Sequence, residues 1–360
     1  MDFYTSVLRP LLFLFDGERA HRFGMAAASL CNSDVFGGVV SRCMQVHDER
    51  LSVDIAGIRF AAPLGIAAGF DKEGEAIGFA QSIGASHIEV GTVTLRPQRG
   101  NPRPRVFRIP DEEAIVNRMG FPSSGVDAVL GRLDRWSKRE RTIRIGINIG
   151  KNKETPISDA EDEYARLTAL VAPFADYVCI NVSSPNTPDL RTLQEPSRLC
   201  ALLAASRAAS CGKPLFVKLS PDIEPHDLEA IVGVIVEQKI DAVVATNTTI
   251  SREACPAART FEGGLSGAPI FERSCDFVSQ LYRHLGGAAP IVGVGGIDSS
   301  ERAVRMLSAG ARALQMYTGL VFKGPSVVSQ IHHGIAKWLE DRGFKSIEEI
   351  VGQGNTLVGL

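Results

Sequence analysis

The residues best suited to chemistry lie at positions 181–187, which read Asn-Val-Ser-Ser-Pro-Asn-Thr. Asparagine and serine side chains supply amide donors, acceptors and hydroxyls without fixed charge, a set that suits a planar polar small molecule. The apolar run 177–180 precedes them, and Pro185 and Pro188 prevent a helix or central strand from continuing. We therefore predict a buried strand that ends in a polar loop. A turn that only reverses the chain is the alternative.

Polar or glycine-rich groups follow other predicted strands in the same way. Thr92, Asn148 and residues 246–248 stand at such strand ends, and Lys218 closes the apolar run Phe-Val-Lys. A lysine at that position needs an anionic or electron-rich partner, because its charge is costly to desolvate. A structural ion pair and a ligand contact are both open at this point.

Two glycine-rich turns indicate a phosphate site. Residues 293–297 (Gly-Val-Gly-Gly-Ile) follow the seventh predicted strand, and residues 317–319 (Tyr-Thr-Gly) follow the eighth. Glycine lets backbone N–H groups approach an anion closely, and this pair of turns is the common phosphate site of TIM barrels. A phosphorylated cofactor of mononucleotide size is implied.

The elements that position these groups alternate between strand and helix. Short apolar runs rich in β-branched or small residues predict eight strands, at 64–67, 87–90, 144–149, 177–180, 215–219, 242–246, 291–294 and 313–316. Helical periodicity lies between them, at 161–170, 198–209, 227–237, 271–285 and 301–309. Eight βα repeats predict a TIM (β/α)8 barrel of class α/β, with a floor hairpin at 52–60. The connections 91–141 and 247–290 are long enough to be functional loops.

The N-terminus is predicted as a separate helical unit. Apolar residues recur at helical spacing over 3–15 and again over 18–30. We assign residues 1–33 to a small helical unit that gives access to a membrane, and residues 50–345 to the barrel. A structural cap on the barrel is the alternative to a pair of helices that dips into a membrane surface.

Composition narrows the class of protein. The 360 residues are 44% hydrophobic with a formal net charge of −2, which gives no general basic field for nucleic acid. Seven cysteines without a Cys-x-x-Cys pair argue against a disulfide framework or a zinc site and favour a reducing compartment. No apolar run is long enough to span a bilayer, and a signal peptide is not predicted.

Eight ordered motifs along nearly the whole chain resemble the dihydroorotate dehydrogenases, in particular the membrane-associated, quinone-dependent class 2. The motifs are AAGFDKEG (67–74), NPRPRVFR (101–108), NRMGF (117–121), NVSSPNT (181–187), TNTT (246–249), GGLSG (263–267), GVGGI (293–297) and YTG (317–319). The resemblance implies oxidation of (S)-dihydroorotate to orotate in pyrimidine (UMP) biosynthesis. Class 1 enzymes, which use a soluble acceptor, resemble the same barrel but carry cysteine where this chain has Ser184. Class 1 is kept as the alternative function.

The resemblance also implies site residues. Ser184 is the catalytic base. The substrate contacts are Lys72, Asn117, Arg118, Met119, Gly120, Phe121, Asn181, Asn186, Asn247 and Thr248. One non-covalent FMN is assigned to Ala67, Ala68, Gly69, Thr92, Asn148, Asn181, Lys218, Thr246, Gly267, Gly296, Tyr317 and Thr318. His21 and Arg108 are the candidates for the quinone, and no metal site is expected.

These residue types suit the implied chemistry. A proton leaves C5 of the substrate towards Ser184 and a hydride leaves C6 for the flavin, while amide side chains and Lys72 hold the carboxylate and ring carbonyls. Lys218 stabilises negative charge on the reduced flavin. A serine hydroxyl is a weak base, so a relay that the sequence does not reveal has to receive its proton. The expected partners are dihydroorotate, a membrane quinone and the membrane itself, contacted peripherally at the cytoplasmic face of the cell (inner) membrane.

Overall fold

The predicted apolar runs become the strands of the structure, a computed structural model that describes residues 3–139 and 141–354. The strands are β1 (Val53–Ile55), β2 (Ile58–Phe60), β3 (Leu64–Ile66), β4 (His87–Val93), β5 (Val106–Ile109), β6 (Ala114–Asn117), β7 (Arg144–Ile149), β8 (Tyr177–Asn181), β9 (Leu215–Leu219), β10 (Ala242–Ala245), β11 (Gly264–Gly267), β12 (Ile291–Val294) and β13 (Ala311–Met316). All eight predicted barrel strands are confirmed, with ends that shift by a few residues.

The helices lie mainly between these strands. They are α1 (Arg9–Phe13), α2 (Gly17–Ser29), α3 (Asp34–Met44), α4 (Ile77–Ser82), α5 (Val126–Ser137), α6 (Ala160–Val171), α7 (Pro196–Ala209), α8 (Pro225–Glu237), α9 (Phe271–Leu285), α10 (Ser300–Ser308), α11 (Thr318–Lys323) and α12 (Ser326–Arg342). The five helices predicted between barrel strands are present as α6 to α10. Helices α3, α4, α5, α11 and α12 had no counterpart in the prediction.

Eight parallel strands close into a barrel in the order β3, β4, β7, β8, β9, β10, β12 and β13, and β13 pairs with β3. The TIM barrel prediction is confirmed. Parallel strands are covered on both faces, which is why they are almost continuously apolar. Within β8, for example, the side chains are buried, and the Tyr177 ring stacks on Phe216 at 4.2 Å between centroids. The register pairs Asn181 with Lys218, so two polar strand ends lie side by side.

The predicted floor hairpin is also confirmed. Strands β1 and β2 pair antiparallel, with Val53 opposite Phe60. Phe60 is buried against the ring of His87 at the start of β4, at 4.9 Å between centroids. The hairpin therefore closes the end of the barrel at which the strands begin.

The two long connections meet in a sheet that periodicity did not indicate. Strands β5 and β6 come from the first connection and β11 from the second, and they form an antiparallel sheet in the order β11-β6-β5. Asn117 of β6 pairs with Gly264 of β11, and Ala114 pairs with Gly267. This small sheet ties the two loops together at the end of the barrel where the strands finish.

Three helices precede the barrel. The first predicted helix is a π-helical turn (Tyr4–Leu8) followed by α1, and Asp16 caps α2 by accepting from the N–H groups of Glu18 and Arg19 at 3.1 and 3.0 Å. Helix α3 begins just after residue 33, the predicted boundary of the N-terminal unit. Large apolar side chains on these helices are exposed, among them Leu14 (81%) and Val35 (83%).

No single helix in the described ranges is long and apolar enough to cross a membrane. The segments Gly17–Asn32 and Asp34–Met44 meet that criterion only as a pair, and the pair is bent by 100°.

Candidate active site

One cavity of about 1820 Å³ opens at the carboxyl ends of the barrel strands and continues between the N-terminal helices. Its lining includes every residue that the sequence nominated, from the strand ends to His21 and Arg108, except Asn148 and Arg118. Residues more than 200 positions apart are thus brought to one site, as expected when parallel strands end at one face of a barrel.

The loop after β8 carries Ser184, which is buried and lines the cavity. The Asn186 N–H donates to Ser184 Oγ at 3.2 Å, so the loop folds back on its own hydroxyl. The Asn186 side chain donates to Asn117 Oδ1 at 3.1 Å, and the Asn186 backbone carbonyl accepts from Asn101 Nδ2 at 3.0 Å. The serine is therefore held next to the asparagines that were nominated as substrate contacts.

Amide side chains at the strand ends hold one another. Asn181 Nδ2 donates to Thr92 Oγ1 and to Asn148 Oδ1, both at 3.0 Å, and Asn247 Nδ2 donates to Ser183 Oγ at 2.9 Å. Asn148 is fully buried and lies beneath the cavity rather than on its wall. It orients Thr92 and Asn181, which do line the cavity, and its assignment to the cofactor stays a prediction.

A buried ion pair lies under the centre of the cavity. Lys218 Nζ, on the cavity wall, is 3.7 Å from Glu89 Oε1, and their side chains are 5% and 0% exposed. Asn148 Nδ2 and Gln315 Nε2 also donate to the Glu89 carboxylate, at 2.7 and 2.9 Å. The sequence indicated that Lys218 needs an anionic or electron-rich partner, but it did not identify Glu89 as that partner. The only local sign was an acidic residue inside the apolar run His-Ile-Glu-Val.

Lys72 lies on a loop that is shaped by a buried carboxylate. The Asp71 carboxylate accepts four backbone N–H groups, from Glu73, Gly74, Glu75 and Ala76, at 2.7 to 3.2 Å. Lys72 Nζ donates to the Gly69 carbonyl at 2.5 Å and reaches the cavity. Burial lowers the pKa of Lys72 to about 8, against the opposing charge of Asp71. The lysine is therefore a cation at neutral pH that titrates within reach of ordinary assays.

Four of the residues in the segment 117–121 line the cavity: Asn117, Met119, Gly120 and Phe121. Gln98 Nε2 donates to the carbonyl of Phe121 at 2.8 Å, and the Met119 carbonyl accepts from the Asn101 N–H at 2.9 Å. Arg118 departs from the expectation. Its guanidinium lies outside the cavity, near Glu262 at 3.4 Å and the Pro104 carbonyl at 3.1 Å. Because neighbouring side chains of an extended segment point to opposite sides, the segment presents Asn117 and not Arg118 to the cavity.

The residues present fit a flavin mononucleotide. Gly267 (φ 107°) and Gly296 (φ 72°) line the cavity in conformations that side chains rarely adopt, so backbone can come close to a ligand there. Thr318 Oγ1 lies beside them and donates to Ser266 Oγ at 2.9 Å. Buried oxygens of Gln315 (Oε1) and Thr248 (Oγ1), both on lining residues, have no hydrogen-bond partner within the described part of the chain. A polar ligand would satisfy such atoms.

The other end of the cavity lies against the N-terminal helices. The His21 ring packs edge-on against Phe70 at 5.8 Å, and Phe70 in turn contacts the ring of Tyr317 at 5.9 Å. Burial and the nearby charge of Lys72 lower the pKa of His21 to about 3, so the imidazole is neutral at neutral pH. Arg108 donates to the carbonyls of Leu12, Phe13 and Phe15 and stacks over the Phe13 ring at 4.3 Å. It binds the C-terminal end of α1 while also lining the cavity.

Sequence reasoning missed a clamp behind the Ser184 loop. Arg191 donates to the Ser183 carbonyl and to the Thr248 carbonyl, each at 3.0 Å. Asp222 Oδ2 accepts from the same guanidinium at 2.8 Å. One arginine therefore joins the loops that follow β8, β9 and β10. Two of its three partners, Asp222 and Thr248, lie 31 and 57 positions further along the chain, and sequence carries no signal for such contacts.

Comparison with known proteins agrees with this site. A family profile described as dihydroorotate dehydrogenase matches residues 50–339. A protein of Roseiflexus sp. (strain RS-1), named dihydroorotate dehydrogenase (quinone), is 43% identical over 353 residues, which are 96% of this chain and 97% of the relative. A protein of the same name from Acidithiobacillus ferrooxidans is 44% identical over 349 residues, 93% of this chain and 96% of the relative.

The fold is similar to that of a solved structure as well. The crystal structure of DHODH from Eimeria tenella in complex with ferulenol superposes with a TM-score of 0.86 at 34% identity, over 95% of this chain and 98% of that one. This chain belongs to the dihydroorotate dehydrogenase family.

Proposed function

We propose that this chain oxidises (S)-dihydroorotate to orotate through one non-covalently bound FMN and passes the electrons to a quinone, in de novo pyrimidine biosynthesis. The family is flavin-dependent, and full-length relatives named dihydroorotate dehydrogenase (quinone) place the chain in the quinone class rather than in class 1. The observation that carries the proposal is the single cavity that joins Ser184 and the strand-end asparagines to the N-terminal helices.

The polar end of the cavity suits dihydroorotate. Asn117, Asn186 and Asn247 present amide groups there, and Lys72 adds a cation for the substrate carboxylate. Ser184 receives the C5 proton; the N–H of Asn186, which already donates to its Oγ at 3.2 Å, keeps that oxygen directed. When bound, FMN supplies the acceptor for the C6 hydride and for onward transfer of two electrons. Lys218 lies on the cavity wall where it offsets negative charge.

The cofactor's phosphate is assigned to the turns after β12 and β13. Gly296 and Thr318 meet there, and Gly267 brings the backbone of β11 to the same place. One such phosphate site supports a mononucleotide, since a dinucleotide cofactor requires a glycine-rich fingerprint between a first strand and its helix, and the turn after β3 is occupied by the Asp71 loop.

The opposite end is apolar and suits an isoprenoid quinone. Leu12, Phe13, Met25 and Phe36 line it, and its polar groups include the neutral His21 imidazole and the Arg108 guanidinium. A quinone tail would be rejected by the asparagine-rich end, because unsatisfied amides are costly against hydrocarbon. The two substrates therefore enter from different sides.

Exposed apolar side chains at the same end of the molecule support a contact with a membrane. Leu14, Val35 and Val39, 81%, 83% and 57% exposed, belong to the helices that surround the apolar mouth. Side chains of this kind bury their apolar area at a bilayer surface. We place the protein peripherally on the cytoplasmic face of the cell (inner) membrane, where a quinone is within reach.

The membrane contact can be tested by co-sedimentation with phospholipid vesicles. The double variant Val35→Glu/Val39→Glu should lose vesicle binding while dihydroorotate still reduces its flavin. Val236→Glu, at an apolar residue that is 48% exposed on helix α8, serves as the control and should bind vesicles as the wild type does. Equal binding by all three proteins would refute the membrane contact.

The function itself is tested by an absorption spectrum and an anaerobic titration. The purified protein should carry one extractable FMN per chain, be bleached by stoichiometric dihydroorotate, and be reoxidised by a quinone in micelles faster than by fumarate or a nicotinamide. FAD in the extract, or no flavin in folded protein, would refute the cofactor. Faster reoxidation by fumarate would favour the class 1 acceptor.

A further inference from the structure

The carboxylate of Glu89 is fully enclosed in the protein next to the cavity. It lies on β4 with an exposure of 0%, and four side chains direct donors at it. Lys218 Nζ lies 3.7 Å from Oε1, Asn148 Nδ2 donates at 2.7 Å, and Gln315 Nε2 and Tyr177 OH donate at 2.9 and 3.4 Å. These donors come from four different strands, β7, β8, β9 and β13, so the closed barrel assembles the whole set around one carboxylate.

Glu89 is not itself part of the described cavity wall, but two of its partners are. Lys218 and Gln315 line the cavity, whereas Asn148 and Tyr177 lie beneath it with Glu89. The carboxylate therefore acts on a bound molecule through the ammonium group that it holds and through its own field. A unit charge in such a buried position is felt over several ångströms, because little solvent screens it.

We infer that Glu89 is a positioning residue that fixes the Lys218 ammonium and offsets part of its charge, and so limits how strongly the site stabilises the reduced cofactor. This rests on the proposed flavin site. Loss of the Lys218 charge disfavours the negative charge that accumulates on the flavin upon reduction. Loss of the Glu89 charge has the opposite effect, because the lysine is then no longer neutralised. A purely structural role for Glu89 does not predict opposite signs.

Glu89→Gln removes the charge with little disturbance to packing, for a reason visible in the structure. The new amide can still accept from Asn148 Nδ2 through its oxygen, while its NH2 group faces Gln315. Gln315 Oε1 is buried without a partner among the described residues, so a flip of the Gln315 amide turns that oxygen towards the new donor. The exchange pairs the two amides with each other and turns Gln315 Nε2 towards the cavity position that Oε1 held.

The experiment measures the two-electron midpoint potential of the flavin-loaded protein by equilibration with a reference dye, together with the affinity for sulfite, a nucleophile that favours electron-poor flavins. We expect Glu89→Gln to raise the equilibrium constant for reduction about tenfold, ~30 mV for two electrons, and to tighten sulfite binding by a similar factor. Lys218→Met should shift both in the opposite direction.

Glu163→Gln is the matched control. Glu163 is also buried (5% exposed), it accepts from the Asn152 N–H at 2.7 Å, and it is absent from the described cavity wall. Its variant should keep the wild-type potential. If Glu89→Gln fails to fold, Glu89→Asp, which keeps the charge but retracts it from Lys218, should show a smaller rise.

An unchanged or lowered potential in the folded, flavin-loaded Glu89 variant would overturn the inference and leave the proposed function intact. A rise of equal size in Glu163→Gln would also overturn it, since any buried negative charge would then act alike. Wild-type protein that folds without flavin would instead refute the proposed function, and this inference with it.

Discussion

Replacing Arg191 by methionine tests whether the loop that carries Ser184 must be held from behind. The substitution keeps much of the aliphatic length but removes three hydrogen bonds, to the Ser183 and Thr248 carbonyls at 3.0 Å and to Asp222 at 2.8 Å. Asp222 keeps other partners, including Arg273 at 3.2 Å and the Ile250 N–H at 2.9 Å, so its charge is not left unpaired.

The expected magnitudes follow from these contacts. A hydrogen bond contributes about 1 kcal/mol net on average, and the Arg191 guanidinium is partly exposed, so the loss of three bonds in Arg191→Met should lower the free energy of unfolding by about 3 kcal/mol. A shift of Ser184 by about 1 Å would lower the rate of flavin reduction by about 10²-fold. Flavin affinity should change little, because Arg191 is absent from the described cavity wall.

The assay is anaerobic stopped-flow reduction by dihydroorotate, with urea unfolding and flavin affinity measured on the same preparation. Arg191→Lys should restore little, because a single ammonium cannot serve three acceptors in a plane. Arg198→Met is the control, since the ion pair of Arg198 with Glu195, at 3.0 Å, is exposed at the start of α7. Flavin reduction at the wild-type rate in Arg191→Met would refute the clamp, and an equal loss in the control would show that any arginine nearby matters.

Three further results are expected. Because the pKa of Lys72 is lowered to about 8, the KM for dihydroorotate should rise above pH 8 as the cation is lost, and a Lys72→Met variant should have a high KM without this pH dependence. Burial lowers the pKa of His332 to about 4, so between about pH 6.5 and 4 the unfolded chain binds a proton that the folded chain does not. The free energy of unfolding therefore decreases as the pH is lowered through that window, by up to about 3 kcal/mol. The urea midpoint of His332→Gln should decrease less over the same window. A Cβ at Gly17 would lie 2.7 Å from Val106 Cγ1, so Gly17→Ala should lower the Tm, and by less in a Val106→Ala background.

The barrel could be predicted because its pattern is local. Each strand is a short apolar run and each helix has its own period, so the eight strands and their parallel order follow from the alternation. The small sheet could not be predicted in this way. Strand β11 is Gly-Leu-Ser-Gly and lies about 150 residues from its partner β6, so neither composition nor spacing indicated the pairing.

The sequence predicted the site residues that stand at the ends of strands. It did not predict the residues that support the site without lining the cavity. Ser184, Asn181 and Lys218 stood out because polar groups there interrupt apolar runs. The roles of Glu89 and Arg191 depend on their contacts with Lys218 and Thr248. These partners are more than 50 positions away in sequence, and only the closed barrel brings them near. The same limit explains Asn148 and Arg118, whose positions in the motifs do not reveal that one lies below the cavity and the other outside it.

In the half-exposed N-terminal segment, apolar periodicity predicted two of the three helices. Helices α1 and α2 follow from their apolar stripes, with the break at Asp16 where the structure has a helix cap. Helix α3 was missed, since its residues Val35 to Val40 include two glycines that weaken a helical pattern. The role of these helices as a quinone entrance and membrane contact stays a prediction.

The most direct test is to measure the two half-reactions separately in a matched pair of variants, by stopped-flow reduction with dihydroorotate and then reoxidation with a long-chain quinone in micelles. Ser184 and His21 line the same cavity from its two ends. We expect Ser184→Ala to slow reduction by at least about 10²-fold and to leave reoxidation unchanged, and His21→Ala to slow only reoxidation by the quinone. Reduction of Ser184→Ala at the wild-type rate, or a His21→Ala variant impaired in reduction rather than reoxidation, would contradict a single cavity with a dihydroorotate end and a quinone end.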